Sequence, residues 1–404
     1  MYRGRVQQEP EPQAQAEQQV EEKRVTWAEL FFDLVFVFAV TQVSALLHQD
    51  HSWAGVARAL IVFVPVWWAW VGTTVYANRH DVDTPRDTIG IFVVGLGSLA
   101  MALGVPGAYG HRGVLFGAAY LFLRLVLAGL VFRDWRGIAV NSFSVGVLVT
   151  GPLLLIGGFV DGTPRVVLWA LAATTDLVTP RVLRSRLLEV RFDPSHLPER
   201  FGLFLIIAMG ESVVQIGVAA SGGPSAAPLP ADRLVATAAA YALACSLWWV
   251  YFVFAASAVR HAMAQARIHA DVIRPVFSYG HLLFISAIIA VAVGMAEVVA
   301  APDAHLHPGA AGLLVGGCAL YLATFGYTRW RMFRSVSWTR LSGAVACLAV
   351  LLFAPWIPAL AVLLALVVVT VALNVTEAAI VRRRAVLPGG TRDRQDDDRV
   401  ALSE

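Results

Sequence analysis

Blocks of about 20 predominantly apolar residues, the length a helix needs to cross roughly 30 Å of hydrocarbon, recur along this chain, and no other feature limits its fold so strongly. Twelve predicted spans run near 27–47, 54–77, 88–106, 113–132, 138–159, 164–181, 199–220, 232–258, 274–300, 309–328, 337–355 and 358–380. Polar or Pro/Gly-rich stretches divide them, as at 221–232 and 301–309, and the last two are parted only by Ala354-Pro355-Trp356-Ile357-Pro358. Hydrophobic types make up 58% of the 404 residues and charged types 15%. A soluble domain carries about 25% charged residues, so a single soluble globule is excluded. The expected fold class is an all-α polytopic membrane protein with about twelve transmembrane helices.

Arginine placement sets the expected orientation. Lys23 is the only lysine, so positive charge is almost all arginine. Cytoplasmic segments of membrane proteins are enriched in basic residues. Arginines concentrate in the tails and in the segments joining even to odd spans, whereas the opposite segments hold only Arg112, Arg165 and Arg233; Arg58 and Arg124 fall inside spans. Both termini are therefore expected in the cytoplasm, in a bacterial inner membrane, with no cleavable signal peptide. A net charge of +3 gives nucleic-acid binding no support. Cys245, Cys318 and Cys347 lack metal-ligand spacing and read as apolar packing.

The halves of the chain echo each other. Trp67-Trp68 precede Arg79-His80 by the same separation as Trp248-Trp249 precede Arg260-His261. Gly90 and Gly104 match Gly280 and Gly294, and Thr175-Asp176 with Arg181 match Thr376-Glu377 with Arg382. Arg133-Asp134-Trp135-Arg136 and Arg329-Trp330-Arg331 close the fourth and tenth spans. Six helices per unit bring both units in from the same side, so two parallel repeats are expected. The expected organisation is a cytoplasmic tail (1–25), a first six-helix unit (26–183), a linker (184–198), a second unit (199–381) and a charged tail (382–404).

Ionisable side chains inside spans are costly and mark functional candidates. Glu29 and Asp33, four residues apart, share one helix face, and Thr41, Ser44 and His48 extend that face into an expected polar stripe. The competing reading pairs the two carboxylates with Arg24 or Arg79. In the seventh span Glu199, Glu211, Ser212 and Gln215 complete the expected ion or solute pathway, with Arg124 as the intramembrane partner of Glu211. Asp176 and Glu377 are expected to pair with Arg79 and Arg260 near the cytoplasmic ends, with His80 and His261 beside them. Glu297 lies near the outer end of the ninth span. His305-Leu306-His307 lacks further nearby ligands, so neither a metal centre nor a cofactor is expected, and no nucleotide, hydrolase or zinc-protease motif is present. No catalytic residue is expected.

Four stretches together resemble the bacterial low temperature requirement A family. They are Glu29-Leu30-Phe31-Phe32-Asp33-Leu34-Val35-Phe36-Val37-Phe38-Ala39, Tyr76-Ala77-Asn78-Arg79 with Asp81 and Asp83, Glu199-Arg200-Phe201-Gly202-Leu203-Phe204 through Gly210-Glu211-Ser212, and Leu247-Trp248-Trp249-Val250-Tyr251-Phe252. The chain departs from the family pattern at His80, where many members have Phe, and at Val253-Phe254, where many have an aspartate. The resemblance implies a multi-helix inner-membrane protein and no defined chemistry. The first stretch is also similar to the Phe-Ser-Asp first-helix motif of endolysosomal and prokaryotic potassium channels, with Phe32 and Leu34 replacing serine and glycine. The expected function is movement of a small solute or cation across the bilayer, linked to low-temperature growth. The rival readings are a lipid-modifying membrane enzyme and a non-catalytic stress sensor or scaffold.

Overall fold

Backbone amides and carbonyls find no water inside hydrocarbon and must be satisfied within the chain. Every long element here is accordingly a helix, and the described residues contain no strand. The computed structural model describes residues 23–133, 141–187, 192–222, 229–265 and 272–386, and the side chains of all of these except 257, 261, 264, 265 and 384–386.

Among the described residues, twelve helical segments follow the apolar blocks. They are α1 (Trp27–Gln49), α2 (Trp53–Arg79), α3 (Pro85–Gly104), α4 (Gly113–Phe132), α5 (Ser142–Phe159) and α6 (Thr163–Val182), then α7 (His196–Ser221), α8 (Ala231–Arg260), α9 (Ile273–Ala300), α10 (Pro308–Phe333), α11 (Trp338–Leu351) and α12 (Ala359–Val386). Ten of them are long and apolar enough to cross a bilayer. The exceptions among the described segments are α6, diluted by Arg165, Asp176 and Arg181, and α11, which stops well before Pro355 and Pro358. The chain is thus an integral membrane protein by the length and composition of its helices.

Local chemistry sets the helix starts. Thr26, Ser52, Thr84 and Asn141 each accept a backbone N–H from the first turn they precede, which satisfies donors a helix leaves unpaired. α9 opens with a wide π turn, Ile273–Gly280, that accommodates Pro275. The carbonyls of Val276 and Ser278 in it accept from His281 Nδ1 and Trp67 Nε1.

Among the ten candidate spans of the described residues, α9, α10 and α2 are the most buried and α12 the least. Large apolar side chains such as Phe92, Leu96, Leu125, Ile156, Val218 and Val371 stay on the outside, where hydrocarbon rather than water is the compatible solvent. The same neighbours recur in each half. α1 packs on α2 and α3 as α7 packs on α8 and α9, α3 on α4 as α9 on α10, α4 on α5 as α10 on α11, and α2 on α6 as α8 on α12. Between the halves, α1 lies against both α7 and α9.

Glycines permit the closest crossings. A Cβ at Gly104 would stand 3.0 Å from the Phe116 backbone, and one at Gly294 2.8 Å from the Leu314 backbone. Farther down the same helix pairs, Gly90 meets Leu130 and Gly280 meets Thr328. We predict that Gly294→Ala costs about 1–3 kcal/mol through overpacking. Gly316→Ala, which meets open space on the same helix pair, is expected to cost nothing; thermal unfolding in detergent checks both.

Candidate functional site

The capping box that starts α1 also builds a site. Thr26 Oγ1 accepts the Glu29 backbone N–H, and the Glu29 carboxylate accepts from the Thr26 N–H and hydroxyl. Its second oxygen then faces the bundle. One turn on, Asp33 joins it, and both side chains are fully buried.

α7 supplies the positive charge. Asp193 Oδ1 accepts from Ser195 N, Ser195 Oγ and His196 N, which starts the helix before residue 199, the sequence-expected boundary. Burial raises the Asp193 carboxyl, but these bonds outweigh it and hold the group below its ordinary value. The early start carries His196 and Arg200 onto the inward face. Arg200 Nη1 donates to Glu29 Oε2 at 2.6 Å, Nη2 to Asp33 Oδ1 at 2.9 Å, and Nε to Thr74 Oγ1 at 3.1 Å. One guanidinium thus spans both carboxylates and ties α1, α2 and α7 together. Planar, multi-donor geometry is what arginine offers and lysine does not.

The remaining walls come from α2. Trp70 Nε1 donates to Asp33 Oδ1 at 2.7 Å, and its ring packs on Phe201 and Phe204 with centroids 4.8 and 4.3 Å away. Asn78 sets the state of His196. Its Oδ1 accepts the Asp193 N–H, so its amide nitrogen is the group facing His196 Nδ1 at 3.3 Å. Nδ1 therefore accepts, and the proton resides on Nε2, which donates to Glu29 Oε2 at 3.1 Å. Two carboxylates then face one guanidinium, and Asp33 Oδ2 is buried with no hydrogen-bond partner. Lys23 lies just outside, its ammonium on the carbonyls of Ala77, Asn78 and His80 at the end of α2. Burial lowers its pKa against the pull of Glu29 and Asp193.

Several expectations are corrected. Arg24 and Arg79 are exposed and do not hold Glu29 or Asp33. Glu199 is exposed, one position off the buried face that carries Arg200. Glu211 is buried but accepts from Gln215 Nε2 at 2.8 Å on its own helix, beside buried Ser212. Arg124, its expected partner, donates instead to Tyr120 and lies 3.6 Å from Asp176, which accepts the Tyr120 hydroxyl at 2.6 Å. Glu377 is held by Arg340 at 2.8 Å and by Thr339, and Arg260 is exposed. Asp176 and Glu377 thus reach buried arginines across helix contacts, because the arginines at the helix ends point outward. His80 Nδ1 meets the Tyr76 carbonyl and its ring stacks on Tyr76. The side chain of His261 lies outside the described residues.

The polar stripe on α1 is also interrupted. Phe36, Ala39, Val40 and Val43 fill its buried face between Asp33 and Ser44, and half-buried Thr41 bonds back to the Val37 carbonyl. Trp67 and Trp68 are core residues, whereas Trp248 and Trp249 are partly exposed. Sequence reasoning missed Arg200, His196, Trp70, Thr74 and Asn78. The signal for Arg200 was present: it falls in phase with Phe204, Ala208 and Glu211 on one face of α7. The residues lining a cavity of about 40 Å³ between α8, α9, α10 and α11, among them Tyr251, His281 and Arg340, include neither Asp33 nor Glu211.

Removing one partner of a buried ion pair costs about 3–5 kcal/mol because the other charge is left uncompensated. Arg200→Gln is expected to lose that much in thermal unfolding. Adding Glu29→Gln and Asp33→Asn to it should restore most of the loss, since no buried charge then remains.

The family model for the bacterial low temperature requirement A protein (LtrA) matches residues 24–375. An uncharacterized protein of Rhizobium meliloti (strain 1021) is 28% identical over 287 residues, covering 68% of this chain and 69% of that protein. No solved structure matches the chain.

Proposed function

The chain belongs to the bacterial low temperature requirement A family, and from that premise we propose that it is a carrier that moves a proton or small monovalent cation across the cytoplasmic membrane. The observation that carries the reading is the buried cluster of Glu29, Asp33, Arg200 and His196, with one more carboxylate than guanidinium and an unpartnered Asp33 oxygen. An isolated ionised oxygen in such surroundings is costly, so a proton or cation at Asp33 Oδ2 would complete the charge balance. Loss or gain of that charge changes what Arg200 must hold, and Arg200 links α1, α2 and α7. A change of occupancy can therefore shift those helices.

This reading is narrower than a pore lined by α1. The apolar middle of the α1 buried face and the sealed cluster support a carrier closed around its site, rather than an open channel. Glu211 with Gln215, and the Arg124–Asp176 and Arg340–Glu377 pairs, are supporting contacts in this scheme. The proposal includes two parallel six-helix units with both termini cytoplasmic. Recurring helix neighbours and the matched spacing of Gly90 and Gly104 with Gly280 and Gly294, against equally spaced partners on α4 and α10, support duplication. A role in growth at low temperature rests on the family name.

The test is flux in proteoliposomes of purified full-length protein, with proton, potassium and sodium gradients imposed in turn. Wild type should dissipate one of them, and Asp33→Asn should slow that flux at least tenfold while remaining folded. Absence of flux under every gradient, together with growth of an Asp33→Asn strain equal to wild type in the cold, would overturn the proposal.

A further inference from the structure

The end of α1 opposite the cluster carries a second, unrelated group of donors. His48 in the last turn of α1, His51 in the short connection to α2, and Glu297 in the last turn of α9 come together although 246 residues separate His51 from Glu297. His48 Nδ1 lies 3.4 Å and His51 Nε2 3.8 Å from the same oxygen, Glu297 Oε1, and all three ligand atoms fall within 4.8 Å of one another. We propose that these three residues bind a first-row divalent transition-metal ion of the zinc class.

Ligand type and geometry carry the assignment. Two imidazoles and a carboxylate form a donor set suited to zinc, with bonds of about 2.0–2.2 Å. A tetrahedral ion with such bonds needs its ligand atoms roughly 3.4 Å apart. The His48–Glu297 separation already matches, and small side-chain rotations close the rest. His51 Nε2 is buried and has no hydrogen-bond partner, although it lies 3.8 Å from the carboxylate. A lone-pair donor held in that way suits a metal better than a simple hydrogen bond. The position of His51 is also fixed from behind. A Cβ at Gly309 would stand 2.6 Å from the His51 carbonyl oxygen and from its Cβ, so the start of α10 seats directly against this residue. His48 and Glu297 remain 54% and 32% exposed, which leaves a route for the ion to arrive and a fourth position for water or a small ligand.

Neighbouring charges are compatible with a cation. Asp50 accepts the Ser52 N–H next to His51 and lies 3.7 Å from Arg58. His307 Nδ1 accepts the Gly309 N–H. The binding residues thus come from α1, its following loop and α9. The His305-Leu306-His307 stretch, set aside from the sequence for want of further ligands, is not part of the set.

Cobalt titration of the purified full chain without a polyhistidine tag tests this, read by visible d–d absorption and by equilibrium dialysis of zinc. One ion per chain is expected, with the band intensity of a low-coordinate site. His48→Gln and Glu297→Gln should each weaken binding at least tenfold, with unfolding temperatures in the absence of metal close to wild type. His111→Gln, at an exposed position outside the three-residue group, should bind as wild type. No stoichiometric binding would overturn the proposal. So would equal affinity in His48→Gln and Glu297→Gln, or loss of binding in His305→Ala/His307→Ala with retention in His48→Gln.

Discussion

A charge inside a membrane-spanning helix must find a partner before the helix can settle, and in this chain that requirement falls on Arg200. Its guanidinium meets Glu29, Asp33 and Thr74 at once. The contact joins the first helix of the N-terminal half to the first helix of the C-terminal half. It also explains local features that otherwise look unrelated: the capping box at Thr26, the Asp193 turn that starts α7 early, and the indole of Trp70 turned toward Asp33. Each orients one member of the cluster. Ion pairs in such surroundings gain little net stability but make the loss of either member expensive. The cluster therefore acts more as a specification of which helices meet than as a source of binding energy.

The two halves meet the same demand for charge compensation with different residues. In the first, Arg124 and Tyr120 on α4 reach Asp176 on α6. In the second, Arg340 at the start of α11 reaches Glu377 on α12. The carboxylates occupy corresponding helices, while the arginines come from different ones. The tryptophan pairs diverge similarly, one pair buried in the core and the other facing outward. Common helix neighbours with divergent polar contacts are what a duplicated scaffold would allow, since backbone crossings depend on glycine spacing and polar contacts on single side chains.

What the sequence revealed follows the range of the physics involved. Spans were legible because apolar length is a local property: twelve helical segments among the described residues fall where the blocks lie, and ten of them are long and apolar enough to cross a bilayer. The Glu29–Asp33 face was legible from i, i+4 spacing alone. Arg200 was hidden because its neighbour Glu199 carries the more conspicuous charge, and because arginine near a span end reads as an interface anchor. Helical phase was the missing discriminator: Glu199 points out and Arg200 points in. The pairing of Arg124 with Asp176, and the approach of His48 and His51 to Glu297, depend on how helices pack, and no spacing within one segment encodes that. Departures such as the apolar gap in the α1 stripe have the same origin. A helix face is polar only where the facing helix offers a partner.

In the proposed carrier, Asp33 holds an exchangeable charge at its unpartnered oxygen, with Arg200 as the fixed counter-charge. Infrared difference spectroscopy of the reconstituted protein, recorded on pH change and on exchange of potassium or sodium, tests it most directly. A carboxyl band is expected that responds to one of these changes, disappears in Asp33→Asn and shifts in Arg200→Lys. An Asp33 band indifferent to both protons and cations would contradict it.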